Sequence, residues 1–209
     1  EAAGACAPAG PRYNDYDRPQ QPIVGVSWHD AAAYCAAQGQ HLPSEAQWEK
    51  AARGPDGALY PWGDERATCA RAVIKEKRRR SCGVAKLGER PDKGRTFEVG
   101  QRPPGVYGLY DMAGNAWEWV ADWYSEDYRR CGAACAGVDP RGPCDGATPC
   151  KRHHERVVRG GPWYWEAEYA TAIYRRAHVP SNRTYHHYGF RCAASDAELA
   201  ALTGGGAGG

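Results

Sequence analysis

The chain has 209 residues, enough for one domain with a substantial core, and its 27 Lys and Arg nearly balance 25 Asp and Glu at a net charge of +2. Charges of both signs are interspersed, so the composition lacks the strong basic excess typical of nucleic-acid-binding proteins, and a nucleic-acid partner is not expected. No stretch reaches the ~18 apolar residues of a membrane span, and the N-terminus lacks the basic start and apolar centre of a signal peptide.

Two helices are predicted near the start of the chain. Ser27 with Asp30, and Ser44 with Gln47, have the spacing of capping boxes, in which each serine satisfies backbone N–H groups at a helix N-terminus. Each predicted helix ends at the next glycine, where the backbone can adopt a left-handed conformation. Both helices are therefore short and well bounded.

After residue 55 the sequence changes to Gly, Pro and aromatic residues with brief apolar runs. These runs predict short strands and ordered loops, and hence an α+β domain with little regular secondary structure. The basic run over 75–80 is interpreted as a solvated loop. The Gly-rich end of the chain predicts a flexible tail over 196–209.

Nine cysteines with no C-x₂-C pair among them indicate a disulfide framework rather than a zinc site, and therefore an oxidising compartment. Four of them lie in a Gly/Pro/Asp-rich insert over 129–152, for which nested bridges are one of three possible pairings. The predicted pairs are Cys69–Cys82, Cys131–Cys150, Cys135–Cys144 and Cys35–Cys192. Cys6 is left without a partner.

Five motifs, in order, give the chain a family likeness: "GVSWHDAAAYCAAQGQHLPSEAQWEKAARG", "YPWGDE", "YGLYDMAGNAWEWVADWY", "RVVRGG" and "GFRCA". Over about residues 20–195 they closely resemble the formylglycine-generating-enzyme superfamily, whose domain is a variant of the C-type lectin fold. The resemblance implies that Cys35 and Cys192 form the structural disulfide of the superfamily. It also implies that the first strands and helix of the fold precede residue 1, with 1–19 as the end of that part.

The active members of this superfamily oxidise a substrate cysteine with molecular oxygen, using two cysteine thiolates that hold Cu(I). The resemblance places this pair at Trp165 and Ala170, neither of which can ligate copper. It places Pro162 where the enzymes have a substrate-lining serine, and proline offers neither a hydroxyl nor a backbone N–H. Formylglycine formation by the copper–cysteine mechanism is therefore not expected.

The same segment carries aromatic rings that could form a wall against which a ligand packs. Trp165 is the ring we expect to be most exposed, while alternation along a strand would bury one face of 163–165 in the core. The predicted ligand-binding residues are Trp163, Tyr164, Trp165, Tyr174, Arg176, His178, Tyr185, His186 and His187.

A structural calcium ion is predicted at "DMAGNAWEWV", which the resemblance assigns to calcium. Its ligands would be the carboxylates of Asp111 and Glu118 and the backbone carbonyls of Gly114 and Ala116. The alternative is that Asp111 only caps the turn and that Glu118 pairs with an arginine. A redox metal is not expected, because the histidines show no tight ligand spacing.

Two functions from different classes follow. The first is a non-catalytic binding or structural module that recognises a peptide, glycan or protein through an aromatic and basic groove. The second is an oxygen- or metal-dependent oxidoreductase with a different active site, using His178, His186 or His187. Either would be a secreted, periplasmic or cell-envelope protein, with no nucleic-acid partner.

Overall fold

The computed structural model describes residues 18–84, 94–181 and 187–204. Helix α1 spans Trp28–Ala37 and helix α2 spans Glu45–Arg53. Both begin at the predicted capping residues: the Ser27 hydroxyl accepts a hydrogen bond from the backbone N–H of Asp30, and Ser44 and Gln47 form a reciprocal capping box. The two helix predictions are confirmed.

A four-stranded sheet follows the helices. Its strands are β1 (Trp117–Trp123), β2 (Arg156–Arg159), β3 (Arg176–His178) and β4 (Tyr188–Phe190), in the spatial order β3-β2-β1-β4. The β1–β2 and β2–β3 pairs are antiparallel, and β1–β4 is parallel. A short helix, α3 (Tyr128–Cys131), opens the cysteine-rich insert between β1 and β2. The predicted α+β class with little regular secondary structure is confirmed.

The centre of the domain is built from tryptophan side chains. Trp117 and Trp119 of β1 are completely buried, and Trp48 of α2 and Trp163 are 1% exposed. Because side chains alternate along a strand, Trp117 and Trp119 lie on one face, where they pack with α1 residues and with Tyr188 of β4. The sheet is therefore held between large rings rather than by a uniform aliphatic core.

Four disulfides join the described cysteines. Cys35–Cys192 and Cys69–Cys82 form as predicted. In the insert the nested prediction, Cys131–Cys150 with Cys135–Cys144, is wrong. The bonds there are Cys131–Cys135 and Cys144–Cys150, with Cα–Cα distances of 5.6 and 5.7 Å. Each half of the insert folds into its own short turn, and a turn brings cysteines four or six positions apart within bonding distance at a low cost in loop entropy.

The expectation of a flexible tail is wrong for its first part. Residues Asp196–Gly204 form helix α4, and 205–209 lie outside the described residues. The Ser195 backbone N–H donates to Oε2 of Glu198 at 2.6 Å, and the Glu198 N–H donates to the Ser195 hydroxyl at 3.3 Å. Glu198 also pairs with His41 at 2.9 Å. The Ser195–Glu198 spacing is a capping-box signal that the glycine-rich end obscured.

The disulfides also bear on location. Four of them indicate an oxidising compartment, where such bonds persist. Among the described residues, no helix has the length and apolar character needed to cross a bilayer.

Candidate functional site

The segment that follows β2 turns sharply at Gly160 and Gly161, whose φ angles are 93° and 73°. A Cβ on Gly161 would lie 2.4 Å from the carbonyl oxygen of Tyr169, so only glycine fits there. Residues 163–165 then form a turn rather than the strand considered from the sequence. Trp163 points inwards and is 1% exposed, so its prediction as a ligand-contacting residue is wrong.

Trp165 is partly exposed and is the centre of an aromatic group, called the Trp165 cluster. The cluster consists of Trp165, Tyr169, Tyr174 and Arg176, resting on buried Trp117. Tyr169 meets Trp165 edge to face at a centroid distance of 4.6 Å and meets Tyr174 at 5.1 Å. The guanidinium of Arg176 lies 4.4 Å from the centroid of the Trp165 ring. The structure thus brings together three of the predicted ligand-binding residues, and both tyrosines are themselves partly exposed.

Tyr169 was missed in the sequence analysis. It lies in a 3₁₀ turn over Ala167–Ala170, which carries it back over Trp165. The four-residue spacing from Trp165 is a signal for two rings on one side of a turn, but the short run lacks any other helical pattern. The contact between Trp165 and Tyr169 therefore depends on the turn and could not be predicted from the sequence pattern.

Tyr164 starts a second row of rings. It stacks on His187 at 6.0 Å with an interplanar angle of 19°, and His187 contacts Tyr188 at 4.6 Å. His178 in turn contacts Tyr188 at 4.8 Å. His187 is 5% exposed, which contradicts its prediction as a ligand contact. Tyr185 and His186 lie outside the described residues.

Burial lowers the pKa of His178 below its usual value, and nearby Arg176 lowers it further. The imidazole is therefore neutral near neutral pH and packs as a ring. Within 18–84, 94–181 and 187–204, no group of three or more His, Cys, Asp or Glu side chains is arranged to hold a metal ion. Because His186 is outside these ranges, a histidine metal site that includes it stays a hypothesis.

Three of the four predicted calcium residues, Asp111, Ala116 and Glu118, border a cavity of about 360 Å³, and Gly114 is not among its lining residues. Glu118 is already paired there: Arg191 donates from Nε and Nη2 to its two oxygens, each at 2.6 Å, and Trp48 donates from Nε1 at 2.6 Å. Asp111 accepts a hydrogen bond from the Gly100 N–H at 2.8 Å, and burial raises its pKa. The surroundings of Glu118 are those of a carboxylate neutralised by arginine, which was the alternative interpretation. Calcium binding stays a prediction.

A buried charge network connects α2 to the sheet, and its individual contacts could not be read from the sequence. Arg159, with no exposed surface, donates to Glu45 at 2.6 Å and to Glu49 at 2.7 Å. Arg175 forms a second, bidentate pair with Glu45 at 2.6 and 2.7 Å. The helical spacing of Glu45 and Glu49 places both carboxylates on the side of α2 that faces β2.

The same face of α2 lines a cavity of about 450 Å³, with the cysteine-rich insert opposite. Asp122 at the end of β1 borders this cavity and is 3% exposed. Burial raises its pKa to about 7, although the Glu45 backbone N–H donates to it at 2.7 Å. The cavity therefore has a carboxyl group whose charge changes near neutral pH.

Comparison with known proteins decides the family. The sulfatase-modifying factor enzyme 1-like domain matches residues 1–196. The chain belongs to this family. The formylglycine-generating enzyme of Thermomonospora curvata, a family relative, is 39% identical over 199 residues, covering 90% of the chain and 60% of that enzyme.

Two further relatives show the range of the sulfatase-modifying factor family. The inactive C-alpha-formylglycine-generating enzyme 2 of Mus musculus is 34% identical over 197 residues, covering 90% of the chain and 54% of that protein. The structure of PvdO from Pseudomonas aeruginosa aligns with a TM-score of 0.66 at 27% identity, covering 90% of the chain and 66% of PvdO. The chain therefore spans between about half and two thirds of these relatives. Since one of them is named inactive, family membership alone does not decide activity.

Proposed function

We propose that this member of the sulfatase-modifying factor family is a binding module that recognises a peptide segment of a partner protein at the Trp165 cluster. The observation that supports this most directly is the partly exposed Trp165 ring, held by Trp117 beneath it and Tyr169 beside it. Rigid aromatic side chains supply a large contact area at a low entropic cost, which is why they dominate binding hot spots.

The state of the cysteines supports binding rather than copper–thiolate oxidation. All eight cysteines in the described part of the chain are in disulfides, and a disulfide sulfur is not a thiolate ligand. Of the two positions that the family resemblance gives to the copper ligands, Trp165 carries an indole and Ala170 a buried methyl group. Neither supplies a soft sulfur ligand.

A polypeptide is the favoured ligand because of what the relatives are named for. The family is that of a sulfatase-modifying factor, and the relatives include formylglycine-generating enzymes, so those proteins act on residues of other proteins. A chain that keeps the fold but replaces the thiolate positions with rings can retain the polypeptide surface. The oxidising compartment indicated by the disulfides favours a secreted, periplasmic or cell-envelope location for the complex.

The test is binding to a synthetic array of octapeptides that carry a central Tyr-Trp pair and either acidic, neutral or basic flanks. For the peptides that bind, Trp165→Ala should weaken affinity about tenfold or more, since an aromatic hot spot typically contributes about 2 kcal/mol. Trp165→Phe should retain part of the binding because it keeps a ring.

Tyr107→Ala is the matched control, because Tyr107 is a 49% exposed ring on a different loop. It should leave all affinities unchanged. If folded Trp165→Ala binds every peptide as well as the wild type does, the Trp165 cluster is not the binding surface and the proposed function fails.

The alternative, an oxygen- or metal-dependent oxidoreductase, would use His178, His186 or His187. The described members of that set pack among aromatic rings, which gives it less support. Elemental analysis of protein purified without added metal separates the two functions: stoichiometric copper or iron would favour the oxidoreductase.

A further inference from the structure

The basic run of the sequence forms a closed turn, called here the basic hairpin (residues 76–79). The Glu76 N–H donates to the Arg79 carbonyl at 3.0 Å, and the Arg79 N–H donates back to the Glu76 carbonyl at 2.8 Å. Lys77 and Arg78 form its tip with φ angles of 47° and 67°. Positive φ at both central positions is the requirement of a type I′ turn, which Asn and Gly normally meet.

The base of the basic hairpin is fixed to the aromatic surface. The Lys75 N–H donates to the Trp165 carbonyl at 2.8 Å, and the Ser81 N–H donates to the Trp163 carbonyl at 2.9 Å. Arg80 lies over the Tyr164 ring at 3.8 Å and donates to its hydroxyl at 2.8 Å. The tip therefore projects from the edge of the surface that carries Tyr164 and Trp165.

The cations at this edge differ from most others in the domain. Lys77, Arg78 and Arg79 are exposed. In the parts of the chain that the structure describes, neither residues 77–80 nor Arg176 forms an ion pair with a carboxylate, whereas nine other Lys and Arg side chains do. Those nine include Lys75, which pairs with Glu166 beside Trp165. Residues 77–80 and Arg176 therefore give the edge of the Trp165 cluster a positive electrostatic potential.

We propose that the basic hairpin and Arg176 select the ligand of the Trp165 cluster, and that this ligand is an acidic peptide segment with an aromatic or apolar anchor. The inference rests on the proposed function and adds the chemistry of the partner. The anchor packs on the rings, while Asp or Glu side chains on either side of it meet the cations that have no carboxylate partner among the described residues. Exposed charges of this kind act on partner choice and association rate more than on total affinity.

Two non-glycine residues at the tip are consistent with this role. A left-handed conformation costs an ordinary L-residue more than it costs glycine, because Cβ crowds the backbone. A turn needed only to join two strands would be satisfied by Asn-Gly. The lysine and arginine place two long cationic side chains at the point of the hairpin farthest from its base.

The experiment compares acidic, neutral and basic octapeptides, each with a central Tyr-Trp pair, by fluorescence anisotropy at low and high salt. The wild type should bind the acidic peptide best, and Lys77→Gln/Arg78→Gln should weaken that peptide by about three- to tenfold at low salt. The loss should shrink at high salt, because the screening length falls to about 10 Å at about 0.1 M. The variant should bind the neutral peptide as the wild type does.

The matched control is Arg129→Gln/Lys151→Gln, which removes two exposed cations from the cysteine-rich insert. An equal loss in this control would assign the effect to net charge and overturn the inference. If Trp165→Ala weakens every peptide while the hairpin variant changes none, the proposed function stands and the acidic selectivity is wrong. If no peptide binds, both fail. Binding of heparin or single-stranded DNA to the hairpin in preference to the acidic peptide would also overturn the inference.

Discussion

Asp122 makes the folding stability of this domain depend on pH in a way that one substitution can reveal. Its side chain is buried between the first turn of α2 and Gly142 of the insert, where a Cβ on that glycine would lie 3.0 Å from Oδ1. Burial raises its pKa from 3.8 to about 7. The hydrogen bond from the Glu45 backbone N–H lowers the pKa, the Glu45 carboxylate raises it, and Arg141 and Arg175 lower it. The charged form is therefore the unfavourable one in the folded protein.

The direction and the size of the pH effect on the free energy of unfolding follow from this difference in pKa. The pKa of Asp122 is higher in the folded protein than in the unfolded chain. Below about pH 4 the carboxyl is neutral in both states and does not lower the free energy of unfolding, and stability is lost as the pH rises through about 7. At about 1.4 kcal/mol per pKa unit, the cost is about 2 kcal/mol near pH 5 and about 4 kcal/mol near pH 8. Asp122→Asn keeps an oxygen that can accept the Glu45 N–H and removes the titration.

The assay is urea unfolding of wild type and Asp122→Asn at the two pH values, with disulfides intact. The variant should gain stability relative to the wild type on going from about pH 5 to about pH 8, by about 2 kcal/mol. Asp145→Asn, which removes an exposed carboxylate from the insert, is the matched control. A difference between Asp122→Asn and wild type that is the same at both pH values would refute the argument.

Two other predictions concern the glycine turn and the calcium site. Gly161→Ala should destabilise the domain by about 3 kcal/mol or more, because the new Cβ would lie 2.4 Å from the Tyr169 carbonyl oxygen. Gly108 has a similar φ, but a Cβ there would meet nothing within 4 Å, so Gly108→Ala should lose only about 1 kcal/mol of stability. Equal losses would show that the close approach is not what requires glycine. If calcium binds, the melting temperature should rise when calcium is added, because a hundredfold excess over Kd adds about 2.7 kcal/mol to the free energy of unfolding. Glu118→Gln should abolish that rise. A wild-type melting temperature that is unaffected by calcium or chelator would contradict the site.

Local features could be predicted from the sequence because the residues that produce them are close together in the chain. Ser27 and Ser44 start their helices by bonding to backbone groups three residues ahead, which needs no tertiary contact. The ordered motifs likewise predicted the fold and the Cys35–Cys192 bond. Trp165 could be singled out because its position in those motifs is where the family places a thiolate.

The tertiary structure decided which side chains are available to a ligand. Trp163 and Trp165 are two residues apart and chemically alike, yet the glycine turn buries the first and leaves the second at the surface. Glu118 had two possible partners, a calcium ion and an arginine, and the approach of Arg191 from 73 residues away supplied the arginine. The basic hairpin lies beside Trp165 only because the residues that flank it, Lys75 and Ser81, donate backbone hydrogen bonds to the carbonyls of Trp165 and Trp163. Such contacts depend on how distant segments pack, and packing is a property of the whole chain rather than of any local pattern.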